Sequence, residues 1–492
     1  MHRPLFSLVA LITSSITAAA LFATPAHAQN RESGRPNIVF MLVDNMGYGD
    51  LSSYVGGEIR GVTTPKIDAL AAEGLRLTNF NVEPECTPTR SALMTGRLPI
   101  RSGTDAVTLF GGVEGLTPWE YTLAELLSDA GYRTALYGKW HLGATPGRFP
   151  TDQGFDEWYG IAKSTAPTVW SKQRGFNELH LKFDPILEGT AKGGTRRIGD
   201  YTYEARRLID REVTDRSVAY IKKHAKGDAP FFLYIPFTLP HAPPLPHPDF
   251  DIPEKSDYQN VLREIDHNAG RVLDAIAAAG IKDKTIAIFA SDNGPQTMMG
   301  PGIEYGGHSD TGPFRAEFAS AWEGAVRTPG IIRWPGRTKA GRVSNEIVST
   351  LDFYRTLANV VGSADRVPKD RPIDSIDQTA FMFGDQKNSN REHVLFFHRG
   401  ELLAVKFRNY KIHYAVRKSS AGTVTAAGQG MFTSEHQRLG YPYFFDLEND
   451  PKELFNIVGT ARWTNQVIPP ILEAYYKSLA EHPNIKPGED RK

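Results

Sequence analysis

Residues 37–44 read NIVFMLVD, and residues 45–49 continue as NMGYG. The run from Ile38 to Val43 is apolar on both faces of an extended chain, which is typical of a strand buried inside a largely parallel sheet. In open α/β sheets, ligands bind just beyond the carboxyl ends of the strands. Asp44 and Asn45 stand at that place, so this stretch predicts an α/β fold and also where its site lies.

Two later segments repeat the pattern of an apolar strand followed by polar residues. Residues 285–290 predict a strand that ends at Ser291-Asp292-Asn293-Gly294, and residues 231–235 predict one that leads to His241. Residues 257–280 carry apolar side chains at helical spacing. Three strands that each deliver polar residues to a following loop predict one α/β sheet with a composite site along one edge.

The remaining chain predicts a second, smaller part. Residues 165–195 are irregular and read as a loop over the site, and residues 367–390 read as a linker. Short runs beyond the linker predict strands of an antiparallel sheet and a closing helix; these runs are 394–397, 402–407, 410–414 and 466–479. We therefore expect a signal peptide at 1–28, a larger α/β domain at 29–378 that carries the site, and a C-terminal α+β domain at 379–492 that completes the rim of the site.

Composition and the N-terminus narrow the class of protein. The 492 residues include 56 basic and 56 acidic side chains, so nothing predicts a nucleic-acid partner, which normally requires a basic excess. An apolar run at 5–22 precedes Ala26-His27-Ala28, which predicts a signal peptide cleaved after Ala28 by the export machinery. We expect a periplasmic or secreted protein with no stable membrane span after cleavage, although a retained anchor is the alternative.

The most specific segment surrounds the one cysteine of the chain. Residues 86–97 read CTPTRSALMTGR. This run resembles the signature of the formylglycine-dependent, arylsulfatase-like sulfatases of the alkaline phosphatase superfamily. Further segments resemble the same family, and they are GKWHLG at 138–143, WEGAVRTP at 322–329, RWPG at 333–336 and FDLENDP at 445–451. The resemblance implies an alkaline-phosphatase-like sheet and hydrolysis of a small-molecule sulfate ester.

The resemblance also implies how Cys86 is used. In that family a maturation enzyme oxidises the cysteine to formylglycine (3-oxoalanine), whose hydrate has one hydroxyl that attacks sulfur and a second that allows sulfate to be expelled. The metal ligands implied for this chain are Asp44, Asn45, Asp292 and Asn293, together with the converted residue 86. Carboxylate and amide oxygens suit Ca²⁺, or Mg²⁺, rather than zinc.

Four further side chains receive roles from the resemblance. Arg90 would hold a formylglycine hydroxyl, and Lys139 would bind a sulfate oxygen. His141 would help to deprotonate or orient the attacking hydroxyl. His241, in the segment PHAP at 240–243, would contact the sulfate and protonate the leaving oxygen.

The chain departs from the family pattern at two positions. Relatives usually carry two consecutive Asp residues where this chain has Asp44-Asn45, and a Lys where this chain has Phe318. One carboxylate and one ammonium are lost together, so the net charge of the site is unchanged and a singly charged ester still fits. We expect weaker Ca²⁺ binding, because ligand charge helps to set the affinity. Arg315 and His308 are the candidates for the missing Lys.

Two other functions remain open from the sequence. One is a phosphonate monoester or phosphodiester hydrolase, because related enzymes use the same formylglycine on singly charged substrates. The other is a catalytically impaired binding homologue, which the missing Lys would suggest. The physiological ester is not identified, and aromatic, carbohydrate and steroid sulfates all stay open.

Overall fold

The computed structural model describes residues 34–107, 114–166, 168, 182–296, 298–300, 303–304, 309–417 and 436–491. The predicted signal peptide and most of segment 165–181 lie outside these residues. Residues Arg35–Lys492 form one compact unit. The boundary expected between residues 378 and 379 therefore stays a prediction.

An eleven-stranded mixed sheet dominates the described chain. The described residues also form a four-stranded antiparallel sheet and a short two-stranded antiparallel sheet. The strands are β1 (Asn37–Asp44), β2 (Leu75–Asn81), β3 (Arg133–Lys139), β4 (Glu157–Ile161), β5 (Pro185–Thr190), β6 (Gly194–Asp200), β7 (Phe231–Pro240), β8 (Thr285–Ser291), β9 (Met298–Gly300), β10 (Ile303–Glu304), β11 (Arg327–Arg333), β12 (Arg342–Ser344), β13 (Val348–Ser349), β14 (His393–His398), β15 (Glu401–Phe407), β16 (Tyr410–Arg417) and β17 (His436–Asp446).

The centre of the large sheet is parallel. Its strand order is β12-β2-β11-β8-β1-β7-β3-β4-β5-β6, and β13 also pairs with β2. β1 pairs in parallel with β7 and β8, and β3 pairs in parallel with β7 and β4. β11 is antiparallel to both β8 and β2. The carboxyl ends of β8, β1, β7 and β3 therefore meet at one edge, as the sequence predicted for β8, β1 and β7.

β1 shows why this sheet forms where it does. Ile38, Phe40 and Leu42 lie in one buried apolar cluster, whereas Val39 and Met41 lie in a second cluster on the opposite face. Alternate residues of a strand point to opposite faces, so both faces of β1 are covered. Truncating one of these side chains, such as Phe40→Ala, should cost about 3–5 kcal/mol of stability.

Helices cover the sheet and end the chain. They are α1 (Pro65–Ala72), α2 (Cys86–Thr95), α3 (Leu123–Asp129), α4 (Tyr203–His224), α5 (Asp257–Ala278), α6 (Glu323–Val326), α7 (Asp352–Val360), α8 (Thr379–Phe383) and α9 (Thr464–Glu481). α5 begins with a capping box between Ser256 and Gln259, and its apolar stripe from Val261 to Ile276 is buried. The predicted helices at 257–280 and 466–479 are thus confirmed within a few residues. Among the described helices, none is both long and apolar enough to cross a membrane.

The C-terminal part contains the predicted antiparallel sheet, in the order β14-β15-β16-β17. Two other expectations were wrong. Residues 185–195 were predicted to be irregular, but they form β5 and the start of β6, which extend the large sheet beyond β4. The predicted linker contains α8, whose Phe381 and Met382 are buried.

Candidate active site

The polar residues singled out in the sequence follow the carboxyl ends of adjacent strands. Asp44 ends β1, Asp292 follows β8, Lys139 ends β3 and His241 follows β7. Because these four strands run in parallel, their ends deliver the four side chains to one edge. In the strand order β8-β1-β7-β3, the predicted metal ligands Asp292 and Asp44 come from the first two strands, and Lys139 comes from the last.

Cys86 is the first residue of α2 and is 1% exposed. Glu85 precedes it as an extended N-cap residue, and every residue of this helix is buried. Burial, with added repulsion from Asp44 and Asp292, raises the pKa of the Cys86 thiol well above its usual value, although Lys139 and Arg90 oppose this. A thiol in this setting is protonated at neutral pH and is a weak nucleophile.

Three elements converge on Cys86. The ligating atoms of Asp44, Cys86 and His241 lie within 4.8 Å of one another, and all three residues are buried. The thiol also contacts Asn45, with Sγ 3.6 Å from Oδ1. The structure therefore brings together the predicted nucleophile, two predicted metal ligands and one predicted acid.

Two buried cations hold the carboxylates of this cluster. Lys139 Nζ lies 2.7 Å from Asp44 Oδ2. Arg90 Nη2 lies 2.8 Å from Asp292 Oδ2 and 3.6 Å from Asp44 Oδ2. Burial would raise the pKa of Asp44, but Lys139, His241 and Arg90 outweigh it and hold that pKa well below its usual range. Burial and the neighbouring Asp44 instead raise the pKa of Asp292.

The oxygen donors present at the site suit a hard cation. Asp44 Oδ1 and Asn293 Oδ1 are buried and have no hydrogen-bond partner among the described residues. Buried acceptors without a partner are costly, and a coordinated cation would satisfy them. The two carboxylates and two amides of this set offer only oxygen ligands, which are the ligands that Ca²⁺ and Mg²⁺ prefer. A cation would also relieve the repulsion that raises the pKa of Asp292.

The two histidines predicted at the site are held in different ways. His141 adopts a left-handed backbone conformation with φ 59°, and its Nδ1 is buried without a hydrogen-bond partner in the described chain. Burial, Lys139 and Arg90 lower the pKa of His141 well below its usual value. Burial lowers the pKa of His241 to about 3. Both rings are therefore neutral at pH 7 in the absence of an anionic ligand.

His241 is fixed by residues that the sequence did not indicate. Its Nδ1 lies 2.7 Å from Thr165 Oγ1 and 2.6 Å from the Ala242 carbonyl oxygen. From α4, buried Arg206 donates to the His241 carbonyl oxygen at 2.9 Å. No local sequence pattern marks Thr165 as a partner, because it lies 76 residues from His241.

Of the two candidates for the missing Lys, only Arg315 is described, and its contacts are with Glu453 and Trp322. Arg315 donates to the Glu453 carbonyl oxygen at 3.0 Å, and its guanidinium lies 4.1 Å from the Trp322 ring centroid. His308 lies outside the described residues. Phe318 is 1% exposed and packs in one apolar cluster with Cys86 and Ala319.

The sequence also showed no sign of a chain of polar contacts that begins at Glu85, the residue before Cys86. The Glu85 carboxylate accepts from the Val107 N–H at 2.6 Å and lies 3.0 Å from His398 Nε2. His398 Nδ1 in turn lies 3.0 Å from His436 Nε2. These contacts connect the residue before Cys86 to strands β14 and β17 of the C-terminal sheet.

Two known family models match this chain over most of its length. The sulfatase family model matches residues 36–363, and a model described as the C-terminal region of aryl-sulfatase matches residues 389–490. The chain belongs to the sulfatase family. It is a sulfuric ester hydrolase, and its mixed sheet is the alkaline-phosphatase-like sheet of that family.

Several sulfatases resemble the chain over most of its length. N-acetylgalactosamine-6-sulfatase from Canis lupus familiaris is 33% identical over 480 residues, covering 90% of this chain and 86% of the relative. Arylsulfatase A from Homo sapiens is 34% identical over 445 residues, covering 86% and 83%. The crystal structure of the PsFucS1 sulfatase from Pseudoalteromonas sp. has a TM-score of 0.84 at 32% identity and covers 92% of each chain.

Proposed function

We propose that this sulfatase removes sulfate from a sugar hydroxyl, using a formylglycine derived from Cys86 and a Ca²⁺ held beside it. The observation that carries the proposal is the buried cluster in which Asp44, Cys86 and His241 lie within 4.8 Å of one another. Lys139 and Arg90 add positive charge directly around it. That combination suits the binding and cleavage of an anionic ester.

Conversion of Cys86 is supported by the chemistry of its surroundings. A buried thiol with a strongly raised pKa cannot act as a thiolate at neutral pH. The formylglycine would supply a hydrated aldehyde with one hydroxyl to attack sulfur and another whose deprotonation lets sulfate leave. Arg90, on the same helix, and the N-terminal end of α2 would stabilise that oxygen-rich side chain by their positive charge.

The proposed cation site uses Asp44, Asn45, Asp292 and Asn293. This set is supported by the Oδ1 atoms of Asp44 and Asn293, which have no hydrogen-bond partner in the described part of the chain. A bound Ca²⁺ would supply Lewis acidity that favours the ionised form of the attacking hydroxyl and offsets the charge of the ester.

The remaining side chains orient the ester and manage protons. Lys139, fixed by Asp44 at 2.7 Å, presents its ammonium to a sulfate oxygen. His141 is neutral, and its Nδ1, which has no partner among the described residues, accepts or orients a proton of the attacking group. His241 serves as the acid for the leaving oxygen, which requires the bound anion to raise its low pKa.

The sugar assignment rests on the similar proteins. N-acetylgalactosamine-6-sulfatase, from several mammals, is 33–35% identical to this chain over most of its length. An aryl sulfate remains the alternative, since arylsulfatase A is equally similar. The export signal predicted at residues 1–28 would direct the enzyme to the periplasm or outside the cell, with a catalytic domain at 29–378 and a C-terminal domain at 379–492.

Mass spectrometry and a substrate panel test this proposal together. In protein made with a maturation enzyme, the peptide containing residue 86 should weigh about 18 Da less than the thiol form. Rates should be compared on N-acetylgalactosamine 6-sulfate, nitrophenyl sulfate and bis-nitrophenyl phosphate, with Cys86→Ala as the inactive control. An unmodified thiol in fully active enzyme would disprove the formylglycine assignment, and a preference for the phosphodiester would disprove the substrate class.

A further inference from the structure

Asn45 occupies a position at which the orientation of an amide matters. The two ends of its side chain differ, because the oxygen can coordinate a cation and the NH₂ group repels one. A carboxylate would present an oxygen in either orientation. The site therefore needs a second group that decides which end of the Asn45 amide faces the cation.

The backbone around Asn45 leaves this single choice open. Its N–H donates to Asp292 Oδ1 at 3.0 Å, and the next N–H, of Met46, donates to Ser291 Oγ at 2.9 Å. Asn45 has φ 67°, a left-handed conformation that Asn tolerates better than most residues. With the main chain fixed at both residues, rotation about the terminal bond exchanges only the oxygen and the nitrogen.

The contacts of the two ends are complementary. Asn45 Oδ1 accepts from Asn293 Nδ2 at 2.6 Å and lies 3.6 Å from Cys86 Sγ, so the oxygen faces the proposed cation site. Asn45 Nδ2 donates in the other direction, to Gln296 Oε1 at 3.0 Å. A flipped Asn45 would direct its NH₂ group at the NH₂ group of Asn293.

Gln296 is suited to this single task. It is 5% exposed, and its Nε2 has no hydrogen-bond partner among the described residues. A buried amide with one unsatisfied end is costly, so its retained Oε1 contact should serve a purpose. In that contact, Gln296 Oε1 accepts the hydrogen bond from the Asn45 NH₂ group.

We propose that Gln296 is a positioning residue for the cation: it holds the Asn45 amide with its oxygen toward the metal. The inference rests on the cation site proposed above. It also accounts for how this chain can use Asn where its relatives usually carry Asp. The effect of Gln296 on the cation should therefore depend on the residue at position 45.

A double-mutant cycle followed by Ca²⁺ calorimetry tests this dependence. The four proteins are wild type, Gln296→Leu, Asn45→Asp and the double variant, each with the same maturation state at residue 86. Loss of an orienting partner typically weakens metal binding by about tenfold or more, so Gln296→Leu should do so when position 45 is the native Asn. In the Asn45→Asp background the same change should alter the affinity by no more than about twofold, because either carboxylate oxygen can bind.

Equal effects in both backgrounds, or no effect in the wild-type background, would overturn the role of Gln296. Gln296→Met gives a second apolar variant of different shape, and the melting temperature of each metal-free protein reports whether the fold is intact. If the cycle shows no dependence on position 45 but the wild-type protein binds Ca²⁺ and hydrolyses sulfate esters, only the role of Gln296 is refuted. The proposed function then stands. Wild-type protein that binds no Ca²⁺ would refute the cation site itself, and this inference with it.

Discussion

Arg90 donates two hydrogen bonds to one oxygen of Asp292, from Nε at 3.1 Å and from Nη2 at 2.8 Å. Its third nitrogen, Nη1, donates to the Lys139 carbonyl oxygen at 2.6 Å. Arg90 lies on the same helix as Cys86, and both Arg90 and Asp292 are fully buried. One guanidinium thus fixes the helix that begins with Cys86 to the ends of β8 and β3.

Arg90→Lys should abolish most of the activity although it keeps the positive charge. A lysine has one nitrogen and cannot make the paired contact with Asp292 and also reach the Lys139 carbonyl. We expect kcat/KM to fall by about 100-fold or more, measured on a sulfate ester at fixed Ca²⁺. Arg101→Lys is the matched control, because Arg101 makes a similar two-nitrogen contact with Asp374 outside the cluster. A comparable loss per folded molecule in the control would contradict the prediction.

Thr165→Val should lower kcat with little change in KM. The Ala242 carbonyl can only accept, so the 2.6 Å contact requires hydrogen on His241 Nδ1, and Thr165 secures the same edge of the ring. Without the hydroxyl the ring loses part of this orientation, and we expect kcat to fall by about tenfold. Thr165→Ser keeps a hydroxyl and should recover most of the rate. If the Val and Ser variants behave alike across the pH profile, Thr165 does not position His241.

Phe318→Lys should impair this enzyme even though its relatives usually carry Lys there. Phe318 packs with Cys86 in a buried apolar cluster, so an ammonium introduced there loses hydration, and this chain lacks the second Asp that would balance it. We expect the variant to lose about 2 kcal/mol or more of stability in urea unfolding. Adding Asn45→Asp should recover part of the stability and activity. Phe318→Leu is the apolar control, expected to cost about 1 kcal/mol. A fully stable single Lys variant would refute the charge argument.

The parts of the fold that the sequence predicted well are those whose cause is local. β1 and β8 are apolar on both faces and end in polar residues, so each could be placed without knowledge of its neighbours. β11 was not predicted as a strand, because Arg327–Arg333 contains Pro329 and Gly330 and becomes a strand only by pairing between β2 and β8. β5 was missed since it is partly exposed and is held by β4.

The site divides in the same way. Cys86, Lys139 and the Asp-Asn pairs stand in contiguous motifs, and the structure brings them to one edge of the sheet. The residues that support them could not be recognised as partners from the sequence. Gln296, for example, lies 251 residues from Asn45 and contacts it only because of the tertiary fold. Phe318 was expected at the position of the missing Lys, but its packing against Cys86 required the structure.

Because of Glu264, the free energy of unfolding should decrease as the pH rises from mildly acidic to mildly alkaline values. Its Oε2 accepts from the His247 N–H at 2.7 Å, and its Oε1 is buried without a partner among the described residues. Burial, with repulsion from Asp210, raises the pKa of Glu264 to about 8, although the His247 N–H and Arg206 act against this. A carboxyl whose folded pKa is raised favours the folded state below its unfolded pKa, and that contribution is lost as pH rises through the folded pKa.

Glu264→Gln removes this titration without removing the oxygen that accepts from His247. Between about pH 4.5 and pH 8 the wild type should therefore lose stability relative to the variant, by up to about 1.4 kcal/mol for each pH unit. Urea unfolding of both proteins at pH 5, 6.5 and 8 measures the difference, which should grow in favour of the variant as pH rises. Glu212→Gln, a change on the more exposed surface of α4, should show no such trend. A constant difference between wild type and Glu264→Gln across this range would mean that Glu264 is ionised in the folded protein.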